Sequence, residues 1–117
     1  MTTTDSNPAD ARPLAIRALN DRFRQTFNGG RVVATAGIMA LDEAARLRIF
    51  IAVQAFVAFD EGNDPYGEHD FGSLEAEGER VFFKIDYPAP GGSMHSEDSA
   101  DAAKTERVMT IMFASEY

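Results

Sequence analysis

The sequence of 117 residues contains no cysteine and no tryptophan. Without cysteine the chain has no disulfide, thiolate zinc site, iron–sulfur cluster or cysteine nucleophile. Its longest apolar stretch, residues 49–59, is interrupted by Gln54 and is far shorter than the roughly 20 residues of a membrane-spanning helix. The polar start of the chain also lacks the layout of a signal peptide. We therefore expect a cytoplasmic protein that has no membrane partner.

Basic residues are scarce, because 11 lysines and arginines stand against 19 acidic residues, for a net charge of -8. A protein that coats duplex nucleic acid needs a basic face for the phosphates, so we expect no direct nucleic-acid binding. The charge is also uneven. Residues 1–59 carry seven arginines and five acids (+2), whereas residues 60–117 carry four basic and fourteen acidic residues (-10). A localised acidic surface is suited to a basic protein partner, although it also simply favours solubility.

Hydrophobic periodicity predicts two helices and four strands in one domain, residues 10–117, after a flexible tail at residues 1–9. The order is α-β-α-β-β-β, with helices at 10–27 and 42–59 and strands at 31–38, 70–76, 79–87 and 106–115. Three consecutive late strands favour an antiparallel arrangement. The fold class is therefore α+β, with both helices packed on one face of a mostly antiparallel four-stranded sheet.

The two helices differ in pattern. In the first, Ile16 and Phe23 belong to one apolar stripe, which predicts that Arg17, Asp21 and Arg24 point outward. The second, residues 42–59, is apolar nearly all round in its C-terminal half. A helix of that kind is central in its fold or covered by a partner, so it is a candidate homodimer contact.

The densest polar cluster lies in the turn-rich segment 60–70, here called the acidic loop, which contains five carboxylates and one histidine: Asp60, Glu61, Asp64, Glu68, His69 and Asp70. Hard divalent cations prefer several oxygen ligands, which makes Asp64, Glu68, His69 and Asp70 candidate metal ligands. The spacing does not match an EF-hand. The competing interpretation is architectural, because Asx turns and caps use the same side chains to satisfy backbone N–H groups. No cofactor is expected, other than such a divalent ion.

Three further residues complete the candidate binding set. Tyr66, in the Pro-Tyr-Gly turn, is either an exposed recognition aromatic or a side chain that pins the loop onto the sheet. Lys84 and Asp86 share one strand face and are expected to pair with each other. The candidate binding residues are therefore Asp60, Asp64, Tyr66, Glu68, His69, Asp70, Lys84 and Asp86.

The segment DEGNDPYGEHDFG, residues 60–72, resembles an uncharacterised family of small bacterial proteins, a domain of unknown function seen mainly in proteobacteria and often on plasmids and other mobile elements. Matching segments run from LNDRFRQTFNGGRVVATAGI through FFKIDY to the closing ERVMTIMFASEY. The resemblance covers about residues 18–117. It implies no activity, but it marks the central loop as the family's hallmark.

Three functional hypotheses stay open. The first is a protein-binding or regulatory module, with an anti-defence protein of mobile elements as one version, acting through the acidic loop. The second is a metal-dependent hydrolase or nuclease that uses the Asp/Glu/His cluster, with His69 as general base. The third is structural: the loop is a scaffold and helix 42–59 a dimer contact. Sequence alone therefore leaves open whether the chain is an enzyme.

Overall fold

The computed structural model describes residues 8–92 and 94–117. It confirms the α+β class, with a four-stranded sheet and one short helix beyond the two predicted. The elements are α1 Pro8–Thr26, β1 Gly30–Ala34, α2 Ala36–Met39, α3 Glu43–Gln54, β2 Phe71–Ala76, β3 Glu79–Asp86 and β4 Arg107–Phe113. Two 3-10 turns, Ala102–Lys104 and Ala114–Glu116, flank β4. Most of the predicted tail, residues 1–7, lies outside the described residues.

The sheet has the order β1-β4-β3-β2 and is mixed. β2, β3 and β4 pair antiparallel, as predicted for the late strands. β1 instead runs parallel to β4, with Gly30 opposite Arg107 and Ala34 opposite Ile111. The chain reaches this parallel position because α2, α3 and the β2–β3 hairpin all lie between the two strands in sequence. β4 is thus central, which agrees with apolar residues on both its faces.

The hydrophobic core lies on one face of the sheet. Alternate residues of β3 and β4 point into it, and α1, α2 and α3 supply the opposing side chains. The buried members are Phe23, Ile38, Ile49, Val53, Val81, Phe83, Ile85, Met109 and Ile111. This two-layer arrangement follows from the period-two pattern of the strands and the apolar stripes of the helices.

The first helix buries two stripes, not one. Ile16 and Phe23 are buried as predicted, but Arg24 is only 1% exposed, and Arg17 and Asp21 are half-buried. The prediction that these three residues point to solvent was therefore wrong. The physical reason is that the acidic loop and the segment before it pack along this side of α1. The carbonyls of Gly67 and Phe56 accept hydrogen bonds from Arg17 and Arg24, and the ring of His69 donates one to Asp21.

The α3 helix is shorter than predicted. It starts after Asp42, whose side chain accepts a hydrogen bond from the N–H of Ala45, and it ends at Gln54. The following segment leaves the helical path because Phe56 and Phe59 pack edge-on against Phe83. No described helix is long and apolar enough to cross a membrane.

Candidate functional site

The acidic loop begins as a series of turns closed by its own carboxylates. The N–H of Asp64 donates to the carbonyl of Asp60, and the N–H of Asn63 donates to the Asp60 carboxylate. The Asp64 carbonyl accepts in turn from the N–H of Gly67. Asp60 therefore has the Asx-turn role that the architectural interpretation assigns to such residues.

Two side chains of α1 hold the far end of this loop. Arg17 Nε donates to the carbonyl of Gly67 at 2.6 Å, and Asn20 Nδ2 donates to the carbonyl of Glu68 at 3.0 Å. Gly67 has φ +69, and a Cβ there would lie 2.8 Å from the Arg17 guanidinium. Glycine is favoured at this point by its left-handed backbone conformation, and a side chain there would also displace the end of Arg17.

His69 occupies a tight site between the loop and α1. Its Nδ1 lies 2.8 Å from Oδ1 of Asp21, and its ring stacks on Phe59 with centroids 3.8 Å apart and planes 2° from parallel. Because Asp21 is a carboxylate, Nδ1 acts as the donor. The same carboxylate oxygen accepts from Arg24 Nη1 at 3.0 Å. His69 is thus oriented in the way a general base would be, but its ring face is covered.

The other imidazole nitrogen of His69 faces a second carboxylate. Its Nε2 lies 3.7 Å from Oδ2 of Asp64, which is only 8% exposed and whose Oδ1 accepts from the N–H of His69 itself. His69 also has φ +58, so the backbone is irregular here and β2 starts at Phe71. Nε2 is therefore directed at a buried carboxylate and not at an open cleft.

Arg24 closes the inner side of the cluster. Its Nη2 donates to the carbonyl of Phe56, and its guanidinium lies over the rings of Phe59 and Phe83, 5.1 and 5.7 Å from their centroids. Within residues 8–92 and 94–117, its Nε has no hydrogen-bond partner. A buried arginine paired with one carboxylate, Asp21, links the loop to the hydrophobic core.

Asp70 is bonded to a different group of residues. Its Oδ2 accepts from the hydroxyl of Tyr87 at 3.0 Å, and that hydroxyl accepts from Asn20 Nδ2 at 2.8 Å. Burial raises the pKa of Asp70, and the nearby Asp64 charge raises it further, while the Tyr87 bond opposes the shift. Burial also raises the pKa of Glu68, with the charges of Asp70 and Asp64 adding to it, and it raises the pKa of Tyr87.

These positions do not assemble the predicted metal site. Asp64 is bonded to His69 and Asp70 to Tyr87, and the described residues contain no group of three or more His, Asp or Glu side chains placed to hold an ion. The carboxylates of Asp60, Asp64 and Asp70 instead accept hydrogen bonds from neighbouring protein groups. In this arrangement they act as architectural acceptors.

Two of the candidate residues lie elsewhere. Lys84 and Asp86 are on the outer face of β3 and pair with each other at 3.3 Å, as predicted. Asp86 lines a cleft of about 540 Å³ together with Asp70, Met94 and His95. Tyr66 is 76% exposed at the loop tip, so the interpretation that it pins the loop onto the sheet was wrong.

Sequence reasoning missed the residues that organise the loop. Asn20, Arg24 and Arg107 are at most 2% exposed. On α1 a visible signal existed, because Arg17, Asn20, Asp21 and Arg24 recur at spacings of three and four beside the apolar stripe. Such a polar stripe is found both in buried polar contacts and on the solvent-exposed side of amphipathic helices, so the pattern alone does not distinguish the two.

Residues 34–116 match a family described as a protein of unknown function, DUF3768. The chain belongs to this family. Comparisons with curated proteins and with solved structures gave no match. Membership of an uncharacterised family is thereby confirmed, and the association with plasmids and mobile elements stays a prediction.

The DUF3768 match includes the acidic loop but not the helix to which the loop is bonded. It begins at Ala34, the last residue of β1, so the acidic loop and β2 to β4 lie inside the matched region. The α1 residues that bond to the loop precede it. The acidic loop of this DUF3768 protein therefore depends on a helix outside the family match.

Proposed function

We propose that this chain is a protein-recognition module that presents Tyr66 and the exposed part of the acidic loop to a basic surface of a partner protein. The observation that supports this most directly is the 76% exposure of Tyr66 on a loop whose neighbouring residues are bonded to α1. A large aromatic side chain held outward in this way is typical of an interface anchor.

The hydrogen bonds that hold the acidic loop order it before a partner binds. Gly67, directly after Tyr66, is bonded to Arg17, and Asp64, two residues before it, is bonded to His69. Binding then costs little additional conformational entropy, because the loop is already in place. A tyrosine side chain also has few rotatable bonds to immobilise.

The charge around the tip favours a basic partner. Asp60 and Glu61 are exposed in the same loop, six and five residues before Tyr66, whereas Asp64 is buried. Exposed carboxylates attract arginine and lysine side chains, and the tyrosine ring can accept a cation over its face. Such electrostatic attraction acts mainly on the association rate and depends on salt concentration.

The hydrolase or nuclease alternative lacks comparable support. His69 Nε2 is directed at Asp64 3.7 Å away, and the ring face is covered by Phe59. The anti-defence role on a mobile element and the homodimer contact through helix 42–59 both stay predictions. For the latter, α3 exposes Leu47 and Ile51 on one side.

The experiment starts by capturing partners from lysate of the natural host on tagged wild-type protein, and then purifies the best-enriched one. Its affinity is measured by calorimetry for wild type, Tyr66→Ala and Tyr117→Ala. Tyr117 is a matched control, because it is 75% exposed and packs near Phe82 on the other side of the sheet. We expect Tyr66→Ala to weaken binding at least about tenfold and Tyr117→Ala to leave it unchanged.

A second variant tests the charge. Glu61→Lys should weaken binding and reduce its dependence on salt, while the thermal midpoint of the free protein stays at the wild-type value. Equal affinities for wild type and Tyr66→Ala would contradict the proposal. So would a captured partner whose binding does not change with ionic strength.

A further inference from the structure

The face of the sheet that points away from the core, here called the outer face, is free of the three described helices, which all pack on the inner face. The strand register sets the outer side chains in rows that run across the strands. The two middle rows contain Phe71, Phe82 and Met112. The two end rows carry charges, with Arg80 at one end of β3 and Asp86 at the other. The outer face is thus an apolar band between two charged ends.

Three aromatic rings form the centre of the outer face. The ring centroids of Phe71 and Phe82 lie 5.1 Å apart, and the ring of Tyr117 contacts both, with its centroid 6.1 Å from the first and 5.6 Å from the second. The two phenylalanines are half-buried, whereas Tyr117 is 75% exposed. An aromatic patch that the helices of its own chain leave uncovered is typical of an interaction surface.

The charges of the outer face have both signs, in a chain whose net charge is -8, and their order is self-complementary. Arg80 pairs with Glu75 at 2.7 Å at one end of β3. Lys84 pairs with Asp86 at 3.3 Å near the other end. Half a turn about an axis across the strands brings the Arg80 end of one copy opposite the Asp86 end of another, and symmetry repeats the match. A two-fold dimer requires such self-complementarity, whereas a partner of one sign would meet like charges here.

The Asp86 end of the outer face also has room for an arginine side chain. Asp86 and Val108 of this face line a cleft of about 540 Å³ together with Met94 and His95. Sheets that pack face to face lie about 10 Å apart, a gap that an arginine on one sheet and an aspartate on the other span together. The Arg80 guanidinium can therefore reach the Asp86 carboxylate of a second copy, while its aliphatic stem packs against Val108.

We infer that the outer face joins two copies of this chain in a two-fold dimer, in which each Arg80 enters the cleft beside Asp86 of the other copy. In this arrangement Lys84 faces Phe82 of the second copy, and Tyr117 lies near the axis and faces its own counterpart. Four strands about 4.8 Å apart and seven residues of about 3.3 Å give a face of roughly 400 Å². This area is smaller than the roughly 800 Å² per partner of a stable interface, so the dimer is weak and forms at high protein concentration.

The dimer contact is separate from the surface at Tyr66. The acidic loop is bonded to α1, which packs on the inner face of the sheet, so the contact leaves Tyr66 free. A dimer then presents two copies of the loop, which raises the apparent affinity for a partner with two matching surfaces. The inference does not depend on the proposed role of Tyr66, because it rests on the outer face alone.

Sedimentation velocity between about 5 µM and about 1 mM protein measures the association. We expect the wild-type protein to shift from monomer towards dimer over this range. Arg80→Glu and Asp86→Lys each set like charges opposite one another, so each should weaken association about tenfold or more. An equimolar mixture of the two variants should associate again, because each introduced charge then meets its opposite on the other chain. Arg22→Glu reverses an exposed charge on α1 and should leave association unchanged.

Leu47→Glu separates this contact from the predicted dimer contact of helix 42–59, since Leu47 is exposed on α3, and it should leave association unchanged. Isotope-filtered NMR on a mixture of labelled and unlabelled wild-type protein tests the contact without any substitution, with contacts between copies expected at Phe82 and Val108. The inference would be overturned by a monomer up to about 1 mM, or by contacts between copies on α3 instead of the outer face. A mixture of the two charge variants that associates no better than either alone would overturn it as well.

Discussion

Arg107 of β4 donates from Nε to Oδ1 of Asn20 on α1 over 2.8 Å, and both side chains are buried. The amide of the same Asn20 donates to the Glu68 carbonyl and to the Tyr87 hydroxyl. One asparagine thus joins the first helix, the last strand and the acidic loop. Few residues other than asparagine provide a donor group and an acceptor group of this size.

Asn20→Ala is expected to lower the free energy of unfolding by about 2–4 kcal/mol, because it leaves several buried polar groups without partners. Urea denaturation measures the change, and an unaltered slope would show that the transition stays two-state. Asn63→Ala is the control, since Asn63 is exposed in the loop. A loss no larger than that of the control would argue against the central role of Asn20.

Asp70→Asn should change the pH dependence of stability. Burial raises the pKa of Asp70 above its usual 3.8, so the folded state holds a proton that the unfolded chain releases, and stability falls as the pH rises through the raised pKa. Asparagine keeps an oxygen for the Tyr87 hydroxyl but cannot ionise. The variant should therefore lose less stability than wild type between about pH 4 and pH 7.

Denaturation midpoints at several pH values check this prediction. The raised pKa of Glu68 contributes to the same fall in stability as the pH rises above its usual pKa of 4.5. Asp70→Asn therefore makes the dependence of stability on pH weaker but does not remove it. Glu79→Gln removes the same charge at an exposed position and serves as the control. Parallel curves for Asp70→Asn and wild type would contradict the assignment.

Two variants separate the contribution of the His69 side chain to stability from the strain of its backbone conformation. His69→Ala removes the Phe59 stack and the Asp21 bond and should cost about 1–3 kcal/mol. His69→Gly removes the same contacts but accepts φ +58 without strain, so it should be more stable than the alanine variant by up to about 1 kcal/mol. Thermal and urea denaturation compare the two, and an alanine variant more stable than the glycine variant would refute the argument.

Gly72 is enclosed by aromatic rings. A Cβ at this position would meet ring carbons of Phe83 and Phe56 at less than 3.0 Å, so Gly72→Ala should destabilise the fold by about 1–3 kcal/mol through overpacking. Gly62→Ala, in the exposed loop, should stay within about 0.5 kcal/mol of wild type. Equal stabilities for the two variants, measured by urea denaturation, would show that the aromatic cluster can rearrange to admit a methyl group.

Local patterns in the sequence predicted much of this fold. The alternation of Val81, Phe83 and Ile85 with polar residues has the period of a strand, and these three residues form the inward face of β3. Asp42, a residue type favoured at helix starts, caps α3. Both features depend on residues close together in sequence. The pairing of Lys84 with Asp86 could be predicted for the same reason.

The direction of the loop carboxylates could not be predicted in this way. Whether Asp64 faces solvent or protein depends on α1, which bonds to the loop across 48 to 50 residues. The parallel pairing of β1 with β4 is a comparable case, because local periodicity carries no information on which distant strand is the neighbour. The sequence pattern predicted an exposed Arg24. In the structure Arg24 is buried because the carbonyl of Phe56 and the carboxylate of Asp21 accept its hydrogen bonds.

The bonds from α1 to the loop also affect the order of folding. Each of these hydrogen bonds closes a segment of about fifty residues. The conformational entropy lost on closing the segment is offset only when α1 docks onto the loop. The acidic loop therefore becomes ordered late, and transient detachment of α1 releases it again. A partner bound at Tyr66 would slow the exchange of amide hydrogens in α1, although it need not touch that helix.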